Sequence, residues 1–340
     1  MSYEISLQPG NHHFRANADE TILDAALNAG LLLPHSCRDG ACGACKGKVL
    51  AGEIDHGKLT EGTLTQEERE AGYALFCCAQ PRSDLTLQAR TVTRAGDIPV
   101  KKLPCRVQKL QRLAPDVMLL DLRLPASEAF QFRAGQYIDI LLADGQRRSF
   151  SIANAPHDAG HVELHLRRID GGRFTGQVFE TMKEKDILRF EGPLGGFWLR
   201  EDSTRPVVLV AGGTGFAPIK AIVEHAAHTG TTRPLTLYWG SRVRAGLYLD
   251  ELARAWQTTI PGFTYIPVLS DAQPGDAWDG RTGLVHQAVL DDFADLSGHE
   301  VYACGAPAMI DAARSSFIGT RGLSEEHFFA DAFTFATPAN

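Results

Sequence analysis

The sequence predicts a multidomain chain: a small α+β unit, then an antiparallel β-barrel, then a doubly wound parallel α/β domain. Three observations carry this reading. A loop rich in cysteine and glycine dominates the first third. Short alternating strands separated by turn residues fill the middle. An unbroken apolar strand, a glycine turn and a helix open the last third, a pattern of strands buried on both faces. At 340 residues the chain has room for about two to three domains of roughly 100–200 residues each.

Composition narrows the function classes. The net charge of −7 and the lack of a strongly basic stretch argue against a nucleic-acid partner. No apolar run approaches the ~18–20 residues of a membrane span. Met1-Ser2-Tyr3-Glu4 has neither a basic nor an apolar leader region, so a cytoplasmic protein without a signal peptide is expected. Seven cysteines are an odd count in a large chain, which favours metal ligation or catalysis over a disulfide framework.

In the first unit, residues 3–7 and 12–15 read as a hairpin around Pro9-Gly10. Thr21 to Gly30 has helical spacing and a closing glycine. The cysteine loop follows over 35–47, and a final strand is expected at 85–92. Cys37, Cys42 and Cys45 give C-x4-C-x2-C, and Cys77 comes after 31 intervening residues. This is the plant-type 2Fe–2S spacing, in which a tight loop supplies three thiolates and a return segment the fourth. Gly40 and Gly43 let the loop backbone pack closely. The competing reading is zinc, but zinc ribbons favour paired C-x2-C knuckles and only one is present. From spacing alone, the neighbouring Cys78 competes with Cys77 as fourth ligand.

Residues 1–93 resemble a plant-type ferredoxin, which implies a β-grasp fold with Cys37, Cys42, Cys45 and Cys77 as metal ligands. Leu75-Phe76-Cys77-Cys78-Ala79-Gln80-Pro81 follows the family's L-x-C-x-A-x-P pattern and places the ligand at Cys77. Cys78 is then expected to point the other way along a strand, into the core, and Cys105 is expected in a core as well.

Residues 94–104, with a glycine, two prolines and several charges, read as a linker. Strands are expected at 105–111, 117–123, 136–142, 148–153, 162–168 and 187–191, with a helix at 174–183. This second domain spans 105–200. In Arg148-Ser149-Phe150-Ser151, strand alternation puts Arg148 and Phe150 on one face. A guanidinium there can grip a pyrophosphate while the ring covers a flat cofactor. The segment resembles the R-x-Y-S/T motif of the ferredoxin–NADP reductase superfamily, which implies FAD, with Ser151 at the flavin edge. Phe150 keeps the stacking and lacks the usual tyrosine hydroxyl. Gly171-Gly172-Arg173-Phe174-Thr175 resembles the superfamily's G-x-x-S/T pyrophosphate motif, at Gly172 and Thr175. FMN is the competing flavin; the resemblance ties it to chains whose ferredoxin is C-terminal.

The third domain, 205–340, opens with Val207–Ala211 and the turn Gly212-Gly213-Thr214-Gly215-Phe216-Ala217-Pro218. A glycine turn between a buried strand and a helix suits a pyrophosphate. Pro218 stands where the G-x-G-x-x-G fingerprint has its third glycine, and proline is tolerated in a first helical turn. This form, and Cys304-Gly305-Ala306-Pro307-Ala308-Met309 near the end, resemble the same superfamily's nucleotide domain. The resemblance implies that Cys304 and Gly305 lie beside the nicotinamide. It also implies that Asp331 and Phe333, in Phe328-Phe329-Ala330-Asp331-Ala332-Phe333, lie over the flavin. After the second strand, Ser241, Arg242 and Arg244 permit a 2′-phosphate, and no carboxylate follows them. Reductases of this layout favour NADH, so NADH is expected, with NADPH the alternative.

The parts imply an oxidoreductase in which hydride passes from NADH to FAD and electrons pass singly to the cluster. Ser151, Cys304 and Asp331 are the expected catalytic residues. The resemblance further implies an electron-accepting partner protein. The expected partner is a dehydrase of 3,6-dideoxyhexose synthesis, and the alternative is the oxygenase component of an aromatic or alkane hydroxylating system. A redox sensor that does not turn over is a reading of a different class.

Overall fold

The computed structural model describes residues 2–35, 38, 40, 43, 45–59, 63–89, 92–94 and 98–333. It divides into two compact units, one holding residues 1–99 together with 331–333 and the other residues 100–330. Among the described residues, no helix is long and apolar enough to cross a membrane.

The first unit is a five-stranded mixed sheet crossed by a short helix. Its elements are β1 (Ser2–Gln8), β2 (His12–Asn17), α1 (Ile22–Asn28), β3 (Lys46–Ala51), α2 (Gln66–Glu70), β4 (Tyr73–Leu75) and β5 (Leu85–Gln88). The sheet order is β2-β1-β5-β3-β4, with β1 and β5 parallel at the centre and the other pairs antiparallel. Alternation sets the core: Ile5 and Leu7 of β1 and Leu85 and Leu87 of β5 point inward against Ile22, Leu23, Ala25 and Ala26 of α1. Thr21 caps α1 by accepting the Asp24 N–H at 3.1 Å.

The second unit begins with a six-stranded antiparallel sheet. It contains β6 (Lys101–Ala114), β7 (Val117–Arg123), β8 (Tyr137–Leu141), β9 (Arg147–Ser151), β10 (His161–Arg167), α3 (Arg173–Glu180) and β11 (Ile187–Leu194). The order is β9-β8-β11-β6-β7-β10. An antiparallel bridge between Ile152 and Leu164 joins the two edges and curls the sheet into a barrel. β6 starts at Lys101, inside the stretch read as linker. Its alternating Leu103, Cys105 and Val107 face the core, and its first residues pair with Ile187–Gly192. The two lysines and Pro104 hid that alternation. Burial pushes the Cys105 thiol up to about 12.

A parallel sheet follows: β12 (Val207–Gly212), α4 (Phe216–His228), β13 (Leu235–Ser241), α5 (Asp250–Thr259), β14 (Phe263–Leu269), β15 (Arg281–Thr282), α6 (Val285–Asp292), β16 (Glu300–Gly305), α7 (Pro307–Arg321) and β17 (Phe328–Ala332). The order β15-β14-β13-β12-β16-β17 reverses direction at β12, where the chain returns to lay β16 on its other side. In open α/β sheets, ligands bind beyond the strand ends at such a reversal.

Candidate functional site

Two of the expected cluster cysteines lie among the described residues, and the fold brings them to adjacent strand ends. Lys46 pairs with Leu75, and the Phe76 N–H donates to the Cys45 carbonyl at 3.2 Å. Cys45 and Cys77 are both buried. The first turn of α1 clamps the second of these segments: Leu23 N–H donates to Phe76 O at 2.8 Å and Ile22 N–H to Ala79 O at 2.9 Å. Gly40 and Gly43 have φ of 79° and 70°, the left-handed region a tight loop needs. These features suit a buried thiolate-held cluster. Cys37 and Cys42 lie outside the described residues.

Cys78 does not point away. Cys78 N–H and Ala79 N–H both donate to Leu75 O at 2.9 Å, so the chain turns here instead of extending as a strand. Successive side chains in a turn of this kind diverge by about 100° instead of alternating. The Cys78 sulfur consequently sits 3.6 Å from that of Cys77.

On the barrel, β9 presents the flavin motif. Ile138 pairs with Phe150 and Ile140 with Arg148, which puts those two side chains on one face. The Phe150 ring lies half-buried, 5.5 Å from Phe174 at the start of α3. Arg148 donates to Arg147 O at 2.7 Å and to Gln146 Oε1 at 2.6 Å, which hold the guanidinium in place. Ser149, on the opposite face, donates to Asp139 at 2.6 Å. Ser151 is buried at the strand end. Gly172 is the N-cap of α3, and no side chain caps that terminus. The Thr175 hydroxyl accepts the Ile169 N–H at 3.2 Å and so holds the turn that carries Gly172.

The nucleotide motifs meet at the sheet reversal. Ala211 pairs with Cys304, so the turn after β12 lies against the end of β16. A Cβ added to Gly215 would overlap the Cys304 carbonyl. One on Gly212 would lie 2.6 Å from the Met309 sulfur, and Gly305 approaches Gly212 so closely that its own Cβ would be 3.1 Å from the Gly212 Cα. The result is a glycine cradle packed tightly against the Cys304 backbone and the Met309 side chain. Thr214 sits in its turn, and Pro218 is buried in the first turn of α4, whose terminus also has no side-chain cap. The Trp239 indole N–H donates to Gly213 O at 2.9 Å, and Cys304 is fully buried. Two open helix N-termini and a cradle that any Cβ would fill suit a dinucleotide and a flavin pyrophosphate.

Sequence reasoning missed several groups around this cradle. Arg167, at the end of β10, is held by Asp116 at 2.7 Å, and its buried Nη2 lies 3.2 Å from where a Gly213 Cβ would stand. At the other end, Ser241 closes β13, and Arg242 donates to Asp271 at 3.1 Å. Asp271 follows β14, and Asp271 N–H donates to Arg242 O, so the neighbouring strand supplies the carboxylate that the local sequence lacked. Arg244 donates to Asp276 O at 3.0 Å. Strand register carries this information; no local motif does. Asp331 is buried in β17, and Phe333 follows that strand half-buried.

A charged seam joins the barrel to α4. Lys220 donates to Glu224 at 3.0 Å and Ala153 O at 3.1 Å, and its ammonium lies 3.2 Å from Glu163. Glu163 also faces His165 at 3.1 Å, and the other ring nitrogen of His165 meets the Tyr248 hydroxyl at 3.0 Å. Burial alone would raise the Glu163 pKa, but His165 and Lys220 outweigh it and bring it to about 2. Burial is the leading cause that holds the His165 pKa down, against the opposing pull of Glu163.

A glycine cradle at the reversal of a parallel sheet, behind an antiparallel barrel and a cysteine loop, defines a flavin- and nicotinamide-type reductase with its own iron–sulfur module. Comparison with known proteins agrees across the whole chain. The 2Fe-2S iron-sulfur cluster binding domain matches residues 5–82, the oxidoreductase FAD-binding domain 104–198 and the oxidoreductase NAD-binding domain 209–315. The chain is 43% identical to the CDP-6-deoxy-L-threo-D-glycero-4-hexulose-3-dehydrase reductase of Yersinia pseudotuberculosis, covering 98% of this chain and 99% of the relative. It is 35% identical to the reductase component of phenol 2-monooxygenase from a Pseudomonas species, over 98% and 95%. The crystal structure of an Amycolatopsis cytochrome P450 reductase superposes with a TM-score of 0.80 at 35% identity, over 98% and 100%. The chain therefore belongs to the family of NAD(P)H-dependent iron–sulfur flavoprotein reductases. Its activity is electron transfer from NAD(P)H through FAD to a 2Fe–2S cluster.

Proposed function

We propose that this reductase draws its hydride from NADH and delivers single electrons to a dehydrase acting on a CDP-linked 4-keto-6-deoxyhexose. The observation that carries the partner is full-length identity of 43% to a dehydrase reductase, against 35% to the phenol 2-monooxygenase component. When bound, the flavin accepts electrons as a pair and the cluster passes them on one at a time. The chain's own residues bind, orient and shield these groups.

Cys37, Cys42, Cys45 and Cys77 hold the cluster. Arg148 and the open N-terminus of α3, at Gly172 and Thr175, take the FAD pyrophosphate. Phe150 covers the ring system and Ser151 donates to its edge. Gly212, Gly213, Thr214, Gly215 and Pro218 seat the dinucleotide pyrophosphate on α4, and Arg167 adds positive charge. Cys304 and Gly305 hold the nicotinamide, while Asp331 and Phe333 complete the flavin site from the chain end. Asp271 supports NADH over NADPH: its carboxylate neutralises Arg242 and suits ribose hydroxyls, and a 2′-phosphate would be repelled.

The test mixes the purified reductase, NADH and each of two acceptors under anaerobic conditions: a CDP-4-keto-6-deoxyhexose dehydrase with its sugar, and an aromatic oxygenase component. Sugar reduction at a rate well above the oxygenase's cluster reduction is expected. The opposite order would make the oxygenase reading correct, a reading favoured by the 35% relative.

A further inference from the structure

The one expected feature that the cluster region overturns is the orientation of Cys78. Its sulfur lies 3.6 Å from that of Cys77. A Cβ on Gly40, inside the ligand loop, would come within 2.8 Å of the same sulfur. The Cys78 side chain thus lies against both the expected fourth ligand and Gly40. Gly57 accommodates it from the other side, with its Cβ position 3.6 Å from the Cys78 Cβ.

We propose that Cys78 is a reserve ligand: with Cys77 absent or chemically blocked, the Cys78 sulfur takes the fourth coordination position. The proposal rests on the reading of Cys77 as the resident ligand. The displacement it requires is of the order of one rotamer step, helped by a turn held through Leu75 O. The exchange conserves charge and electrons. Cys78 gives up its proton to solvent and binds as thiolate, in place of the thiolate that Cys77 no longer supplies. An alanine or valine at position 78 would lack this capacity. The turn makes the substitution geometrically available, because an extended strand would set the two sulfurs on opposite faces.

The test compares full-length Cys77→Ala, Cys78→Ala and the double variant, each reconstituted anaerobically with iron and sulfide. Iron per FAD and the electron paramagnetic resonance spectrum of the dithionite-reduced protein are the readouts. Retained FAD and far-ultraviolet circular dichroism report folding. The expected result is at least half of the native iron in Cys77→Ala, with shifted resonance positions, a native spectrum in Cys78→Ala, and near-complete loss in the double variant. Cys77→Ala as iron-poor as the double variant would overturn the proposal. A native spectrum in Cys77→Ala with iron lost from Cys78→Ala would instead overturn the assignment of Cys77 as resident ligand. If Cys77→Ala does not fold, Cys77→Ser repeats the comparison: an all-sulfur spectrum supports the swap, and an oxygen-ligated spectrum contradicts it.

Discussion

The glycine cradle and the charged seam lie within one unit, yet they are built by opposite means. The cradle works by what is missing: Gly212, Gly215 and Gly305 bring two strand ends so close that no Cβ fits between them. The seam works by what is present: Lys220 and Glu163, half-buried, and His165, buried, satisfy one another by an ion pair and a hydrogen bond. The cradle gives a cofactor backbone N–H groups at no side-chain cost. The seam gives orientation, because a buried ionic network has one satisfied geometry and is costly in every other. A reductase needs both, since hydride transfer tolerates little error in the distance between the two rings.

The largest expected effect comes from Gly215→Ala. The new Cβ overlaps Cys304 O and forces β12 and β16 apart, so NADH-dependent flavin reduction should fall by about 10²-fold or more. FAD should stay bound, because the flavin strand is untouched. Rapid-mixing spectroscopy checks the rate and the flavin absorbance checks occupancy.

Lys220→Met should come next. It leaves the half-buried Glu163 with His165 but without its cation, at a cost of about 1–3 kcal/mol in unfolding free energy. Adding Glu163→Gln should recover part of this, and denaturant unfolding measures both. A seam that merely fills space would show no such coupling.

The contrast also separates what was legible in the sequence from what was not. Strand β12 and its glycine turn are contiguous, so Val207–Ala211 and Gly212–Gly215 announce the fold and mark a candidate site. The seam gathers Ala153, Glu163, His165, Lys220 and Tyr248 from separate elements, and only folding brings them together. Asp271 was hidden for the same reason, being local to Arg242 across a strand pair and remote along the chain. Cys78 packs against the core as expected, but its orientation differs because the backbone turns where a period-2 strand is expected. The barrel's first strand was obscured by Lys101, Lys102 and Pro104, although its inward residues alternate.

A smaller effect tests the ribose end. Asp271→Ala should raise the ratio of NADPH to NADH efficiency by about tenfold, equivalent to ~1.4 kcal/mol of differential binding. Steady-state kinetics with both nucleotides reads it, and an unchanged ratio would remove Asp271 from the specificity argument.

The smallest concerns the barrel alone. His161 lies between Asp121 at 2.7 Å and Asp158 at 2.9 Å, and the hydrogen bond to Asp121 leads in raising its pKa from 6.5 to about 9. A raised folded pKa means that its stabilisation is complete below about 6.5 and is lost as pH rises through 9. The melting temperature should therefore decline by a few degrees across that window, at ~2–4 °C per kcal/mol for a chain of this size or somewhat smaller. His161→Gln should flatten that part of the profile.

Electrons run from NADH through FAD to the cluster, and an anaerobic titration with NADH tests that order. Flavin absorbance and the resonance signal of the reduced cluster are followed together, in the native protein and after removal of FAD. Flavin bleaching is expected first and the cluster signal after it, with no cluster signal from NADH once FAD is gone. Cluster reduction by NADH in the FAD-free protein would contradict it.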